Sequence, residues 1–226
     1  MQVRVPESLI GGGSGKPLVE HLDALDTAAL FSDDRRSTHL ATAYHDAIAS
    51  ALDSHAASGH GRLAACLIEP VMQGAGGMNF IDPLFQKLLV AACRSRGIPV
   101  IADEVFSGLW RLGHPSACGA LGVAPDIACY AKLLTAGVVP LSVTLASDAV
   151  FAAFEGDSKA EALLHGHSYT AHPAGCQVLR PPSVDPASSS AVRVCACAPA
   201  GSRAVDCDAA PPGEALTQVV HTHAAL

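Results

Sequence analysis

Asp82-Pro-Leu-Phe-Gln-Lys-Leu-Leu-Val-Ala-Ala-Cys-Arg-Ser-Arg-Gly-Ile-Pro-Val-Ile-Ala-Asp-Glu104 carries a helix, its stop and the strand after it, and so decides the fold class. Asp82 supplies an N-cap side chain, and Pro83 a preset first-turn φ. Leu84, Phe85, Leu88, Leu89, Ala92 and Cys93 then fall on one helical face. Arg94 and Arg96 complement the dipole in the last turn, and Gly97 closes the helix. Ile98–Ala102 is a short, continuous apolar run of the kind that forms a strand covered on both faces, and it ends at Asp103-Glu104. Upstream, Leu63-Ala-Ala-Cys-Leu-Ile68 is a run of the same kind. It stops at Glu69-Pro70, and the glycine-rich turn Gln73-Gly-Ala-Gly-Gly77 follows. Strand, helix and strand within about forty residues predict a parallel, right-handed crossover unit.

Working outward, Ile127-Ala-Cys-Tyr-Ala131 is a third strand, with Lys132 directly after it. Val138–Leu145 is a fourth, followed by a helix capped at Ser147. The pattern predicts an α/β fold built on a mainly parallel sheet with flanking helices. Composition divides the chain into three regions: a lead over 1–61, an apolar α/β core over 62–176, and a tail over 177–226. In the lead, Leu40, Tyr44, Ile48 and Leu52 mark one apolar stripe on a helix that ends at Ser58-Gly-His-Gly61. The tail opens on Arg180-Pro-Pro, runs through Ser188–Ser190 and lacks hydrophobic period, so it is expected to be disordered and foreign to the fold.

With 226 residues, half of them apolar, the chain can bury one sizeable domain but is short for a complete two-domain enzyme. A net charge of -7, with scattered basic residues, argues against nucleic acid as a partner. No apolar run reaches the roughly 20 residues a membrane span needs. Met1–Ser14 has the character of neither a secretory signal nor a transit peptide. Gly11-Gly-Gly-Ser-Gly-Lys16 resembles a phosphate loop only superficially, since Ile10 and Pro17 occupy two required positions, and it reads as a linker. Cys66, Cys93, Cys118, Cys129 and Cys176 read as buried thiols. Cys195, Cys197, Cys207, His221 and His223 match no zinc spacing, and no metal is assigned.

Three charged residues, Glu69, Asp103 and Lys132, terminate three apolar strands, at the strand edge where α/β sheets bind ligands. A lysine between an apolar strand and Leu133-Leu134 is expected to be buried, with its ammonium form disfavoured, which is what Schiff-base chemistry needs. The plainer alternative is a lysine that snorkels to solvent. Asp103 suits a partner for a protonated pyridine nitrogen. Its alternatives are an N-cap or an ion pair with Arg111.

Leu67–Gly77, Ile101–Gly113, Pro125–Gly137 and His165–Pro173 together resemble, in family order, the class III (fold-type I) aminotransferases. The resemblance implies part of the large domain of a pyridoxal-phosphate-dependent transferase, with the remainder missing. It implies that Lys132 forms the covalent link to the cofactor and that Asp103 contacts its pyridine nitrogen. His167 and Ser168 would meet the cofactor phosphate from the neighbouring subunit of a homodimer, with Gly166 beside the substrate. His165 and His172 would share that interface loop.

Phe106 stands where many members carry glutamine, which is similar to the biotin-pathway branch. That branch would convert 8-amino-7-oxononanoate to 7,8-diaminononanoate, with S-adenosylmethionine as amino donor and a mitochondrial location, otherwise a cytoplasmic one. The other readings are an ornithine or ω-amino-acid transaminase, or an inactive fragment lacking the substrate-side segments.

Overall fold

The computed structural model describes residues 26–164, 166, 168–178 and the backbone of 218–223. The glycine-rich stretch 11–16 and Cys195, Cys197 and Cys207 lie outside them.

The lead helix forms where the apolar stripe placed it. Helix α1 (Thr27–Phe31) is capped by Asp26, and a 3-10 turn over Asp33–Ser37 leads into α2 (His39–Ala57), capped by Thr38. The face of α2 that carries Ala41, Tyr44, Ile48 and Leu52 is buried. It packs on α3 (Pro83–Ser95), where Tyr44 meets Phe85 edge-on at 5.3 Å. Ile68 and Val100 close the same hydrophobic cluster from the sheet side. A boundary at residue 61 would run through this cluster.

Helix α3 has the ends its sequence specifies. The Asp82 carboxylate accepts from Leu84 N at 2.9 Å, Pro83 occupies the first turn, and Gly97 takes φ +65 just past the end. Its buried face is wider than the apolar stripe, because Gln86 and Lys87 are also buried. Lys87 donates from Nζ to the Phe31 carbonyl at 2.5 Å and to Asp33 Oδ1 at 2.9 Å, so its charge is met inside the fold.

The sheet runs in the order β1 (Cys66–Ile68), β4 (Val100–Asp103), β5 (Ile127–Tyr130), β6 (Ser142–Ala146), β7 (Gln218–His223). Strands β1, β4 and β5 are parallel, while β6 and β7 each run antiparallel to their predecessor. The strands that end at or just before Glu69, Asp103 and Lys132 are therefore the parallel ones. Strands β2 (Met72–Gln73) and β3 (Asn79–Phe80) pair separately as a hairpin. Helices α4 (Ala117–Leu121), α5 (Asp148–Ala152, capped by Ser147) and α6 (Pro173–Val178) complete the described elements.

All four strands read from apolar runs are shorter than those runs. Residues 63–65 have no partner because β1 pairs only with β4, whose ladder starts at Val100. Pro99 and Pro140 have no N–H to give a ladder. The expectation of a tail foreign to the fold is corrected at Gln218–His223, which joins the sheet by pairing with β6 across a register shift at Thr144/Leu145. An apolar-period search misses such a strand, because its hydrogen bonds go to residues far away in sequence. All five described cysteines are free thiols; Cys93 and Cys118 are buried as expected, whereas Cys66, Cys129 and Cys176 are only half-buried. No described helix is long and apolar enough to cross a membrane.

Candidate active site

Parallel pairing carries Glu69, Asp103 and Lys132 to one edge of the sheet. Ile68, just before Glu69, lies opposite Ala102, and Asp103 lies opposite Cys129, three residues before Lys132. The three charged residues thus leave the carboxyl ends of three neighbouring strands, where such sheets place ligands.

Asp103 is half-buried, and its Oδ1 accepts from Val105 N at 3.0 Å. No cation pairs with it among the described residues. The ion pair with Arg111 does not form. Arg111 instead lies over the Phe106 ring, 4.7 Å from its centroid, and donates from Nε to the Phe106 carbonyl at 2.5 Å. Asp103 is therefore a partly desolvated carboxylate held by one turn hydrogen bond, with its second oxygen open.

The burial expected of Lys132 is not found. The β5 ladder ends at Tyr130, and Lys132 opens an exposed 3-10 turn (Lys132–Leu134) with φ +48. Leu133 and Val138 are exposed beside it. The snorkelling alternative describes its exposure, but a left-handed φ on a lysine costs about 1–3 kcal/mol, and such strain collects at functional sites. The turn is held by Thr135 N to the Lys132 carbonyl at 3.3 Å and by Thr135 Oγ1 to the Val139 carbonyl at 2.6 Å. Among the described residues Lys132 Nζ makes no hydrogen bond or ion pair, so the amine is available.

Glu69, whose role the sequence left open, closes the glycine turn: its Oε2 accepts from Gly74 N at 3.0 Å. The preceding corner is gripped by buried Gln86, which donates to the Glu69 carbonyl at 2.8 Å and accepts from Val71 N at 2.7 Å. That grip holds Val71, a β-branched residue, at φ +52. Gln86 was not anticipated as part of the site. Its only signal was a polar side chain inside an apolar helix run.

Gly74 also lets Phe106 approach. A Cβ at Gly74 would stand 2.9 Å from Phe106 Cγ. Gly74→Ala is therefore expected to push the ring aside and destabilise the chain by about 1–3 kcal/mol, the usual cost of overpacking. Urea midpoints of Gly74→Ala with and without Phe106→Ala check this, since removing the ring should rescue the variant.

The remaining candidates are less closely tied. Gly166 and Ser168 are exposed and make no hydrogen bond to Asp103 or Lys132, and His167 lies outside the described residues, as does His165. His172 accepts at Nδ1 from Gly175 N at 2.9 Å, at the start of α6. Glu104, beside Asp103, is the buried carboxylate that sequence reasoning passed over. It accepts from Ser116 Oγ at 2.6 Å, Ala117 N at 2.7 Å and Cys118 N at 3.0 Å, and so caps α4. A second acid in an Asp-Glu pair at a strand end was the signal.

The parallel sheet thus presents a carboxylate and a lysine, neither paired with a side chain among the described residues, on neighbouring strand ends. The aminotransferase class-III family model matches residues 19–181, and the chain belongs to that family.

Among its relatives, the mitochondrial bifunctional dethiobiotin synthetase/7,8-diamino-pelargonic acid aminotransferase of Oryza sativa subsp. japonica is 57% identical over 148 residues. That alignment covers 65% of this chain and 18% of the rice protein. The adenosylmethionine-8-amino-7-oxononanoate aminotransferase of Synechococcus elongatus is 44% identical over 116 residues, covering 51% of this chain and 27% of the relative. The chain thus spans well under a third of these relatives.

Among solved structures, an amine transaminase from an uncultivated Pseudomonas species, in its PLP-bound (internal aldimine) form, matches with a TM-score of 0.56 at 34% identity. It covers 69% of this chain and 35% of that one. An (S)-enantioselective omega-transaminase from Thermomicrobium roseum gives 0.54 at 31% identity, covering 61% and 30%. The α/β architecture is that of part of a transaminase.

Proposed function

We propose that this chain carries the cofactor-binding strand ends of a pyridoxal-phosphate-dependent aminotransferase of biotin synthesis. In this reading 8-amino-7-oxononanoate is aminated to 7,8-diaminononanoate, with S-adenosylmethionine as the donor. The carrying observation is the pair at the sheet edge: among the described residues, Asp103 without a cation and Lys132 without a side-chain partner, at the ends of adjacent strands. That donor set fits the cofactor, which needs one free amine for its aldehyde and one carboxylate for its ring nitrogen. When bound, the cofactor supplies an electron-accepting pyridinium ring.

Lys132 Nζ would hold the cofactor covalently and, once displaced by a substrate amine, would move the substrate proton as base and then acid. The open oxygen of Asp103 would accept the pyridine N–H and keep that nitrogen protonated. The strain at Lys132 and the absence of a competing partner leave the amine poised for exchange. Gly166 beside the substrate, and His167 and Ser168 at the cofactor phosphate of a neighbouring subunit, are assigned by resemblance to the family.

A homodimer with a shared site is supported by exposed apolar side chains on the same loops, Leu133 and Val138 beside Lys132 and Leu163 and Leu164 before Gly166. Residues 62–176 would bear the site, with the buried face of α2 from the lead packed against them. A mitochondrial location is supported by the plant relatives, which are named as mitochondrial. The biotin branch is supported by the similarity to the plant and cyanobacterial proteins and by Phe106.

The test adds pyridoxal phosphate to the full chain and follows the cofactor spectrum as amino donors are added. S-Adenosylmethionine is expected to convert the bound cofactor to its amine form, which 8-amino-7-oxononanoate then discharges. Conversion by ornithine or γ-aminobutyrate, with none by S-adenosylmethionine, overturns the biotin branch. Failure to take up the cofactor overturns the reading for this chain.

A further inference from the structure

Lys132 lies in the connection between β5 and β6, and a threonine shapes that connection. The two strands are antiparallel, with Tyr130 opposite Val143 as their last pair. Of the described residues between Tyr130 and buried Leu141, Thr135 alone is buried, at 5% exposed. Lys132, Leu133, Ala136, Gly137 and Val138 around it are exposed. A hydroxyl taken out of water needs a partner, and this one has it: Thr135 Oγ1 donates to the Val139 carbonyl at 2.6 Å.

The backbone bonds of the connection are all short-range. Leu134 N donates to the Ala131 carbonyl at 3.0 Å, Thr135 N to Lys132 at 3.3 Å, Ala136 N to Leu133 at 3.3 Å and Val138 N to Thr135 at 3.1 Å. They make a run of turns centred on Thr135, with no hold on the sheet. The Thr135 hydroxyl supplies that hold by fastening the turns to Val139, just ahead of buried Leu141 and the start of β6 at Ser142. On either side of Thr135 the chain bends left-handed, with φ +48 at Lys132 and +52 at Ala136. Residues with a Cβ avoid that region, so the surrounding structure has to keep them there.

We propose that Thr135 is a positioning residue for Lys132: its buried hydroxyl, fastened to Val139, holds the Lys132 corner left-handed and so fixes where the amine leaves the sheet edge near Asp103. The hold passes to Lys132 through its carbonyl, which accepts from Thr135 N. In its chemistry the proposal rests on the cofactor reading, but its geometry is independent of it.

Thr135→Val keeps the β-branched shape and removes the hydroxyl, whereas Thr135→Ser keeps the hydroxyl. The readout, in the cofactor-free full chain, is the order of the urea midpoints of Lys132→Gly and Lys132→Ala. With Thr135 in place, the glycine variant is expected to unfold at higher urea than the alanine variant, because glycine meets φ +48 without strain. In Thr135→Val the order is expected to reverse, since a corner that is no longer held relaxes to an ordinary φ, where glycine keeps only its entropic disadvantage. Thr135→Ser should restore the first order. General destabilisation lowers both midpoints and leaves their order alone. With pyridoxal phosphate, borohydride trapping at Lys132 should need about three- to tenfold more cofactor in Thr135→Val than in the parent or Thr135→Ser, the net effect of one hydrogen bond.

Glycine staying above alanine in Thr135→Val, or alanine above glycine with Thr135 in place, overturns the positioning role, as does equal trapping in Thr135→Val and the parent. Thr135→Ala should show the same reversal, and it decides the matter if Thr135→Val does not fold. If the parent chain takes up no cofactor, the functional reading fails, and the order of midpoints still decides for or against Thr135.

Discussion

Lys132→Gly is expected to abolish covalent uptake of pyridoxal phosphate while leaving the chain as stable as the parent or slightly more so. The side chain is exposed and makes no hydrogen bond or ion pair among the described residues, so its removal forfeits no packing. The backbone at this position sits at φ +48, which glycine adopts without penalty and lysine does not. Relief of about 1–3 kcal/mol of strain is set against the roughly 0.5–1 kcal/mol of extra chain entropy that glycine loses on folding.

Lys132→Ala, which keeps a Cβ, should lose uptake equally but gain no stability. Borohydride trapping with peptide mapping, run beside urea denaturation, separates the two effects. Adduct formation persisting in both variants would move the chemistry to another amine. Lys87 is a poor substitute, since its ammonium is held by the Phe31 carbonyl and Asp33.

Asp82→Ala is expected to be the most destabilising single change in the described fold, at about 3–5 kcal/mol, because it strands a largely buried guanidinium. Asp82 binds Arg35 through two oxygens, each at 2.7 Å, with side-chain exposures of 2% and 11%. It also accepts from the Tyr44 hydroxyl at 3.1 Å and caps α3 at Leu84 N. One carboxylate thus ties the 3-10 turn after α1, the core face of α2 and the start of α3.

Against a typical total of about 5–15 kcal/mol, that loss should bring the urea midpoint down sharply. Arg35→Ala added to Asp82→Ala should cost little more, since the stranded charge is then gone. Asp33 is itself exposed and should matter less, since the buried Lys87 ammonium keeps the Phe31 carbonyl when Asp33 is removed. A full-sized loss from Asp33→Ala, with a small one from Asp82→Ala, would place the anchor elsewhere.

What was legible in the sequence was local. Asp82-Pro83 and Gly97 bound a helix because capping and φ preferences act within a few residues, and Tyr44, Ile48 and Leu52 mark a buried face because helical spacing alone aligns them. The acidic and basic ends of three apolar runs were legible for the same reason, and parallel pairing then had to bring Glu69, Asp103 and Lys132 to one edge.

The rest depended on partners distant in sequence. Gln86 finds Glu69 and Val71, Arg111 turns to Phe106 rather than Asp103, and Glu104 finds the start of α4. Gln218–His223 finds β6 more than seventy residues away in sequence. The sequence by itself determined which residues end the strands and which chemistry they can do. Only the tertiary structure decided that Lys132 is exposed and strained, that Asp103 has no cation among the described residues, and that Glu104 is spent on capping α4. Burial and hydrogen-bond pairing are properties of what surrounds a residue, and those surroundings exist only once the sheet has assembled.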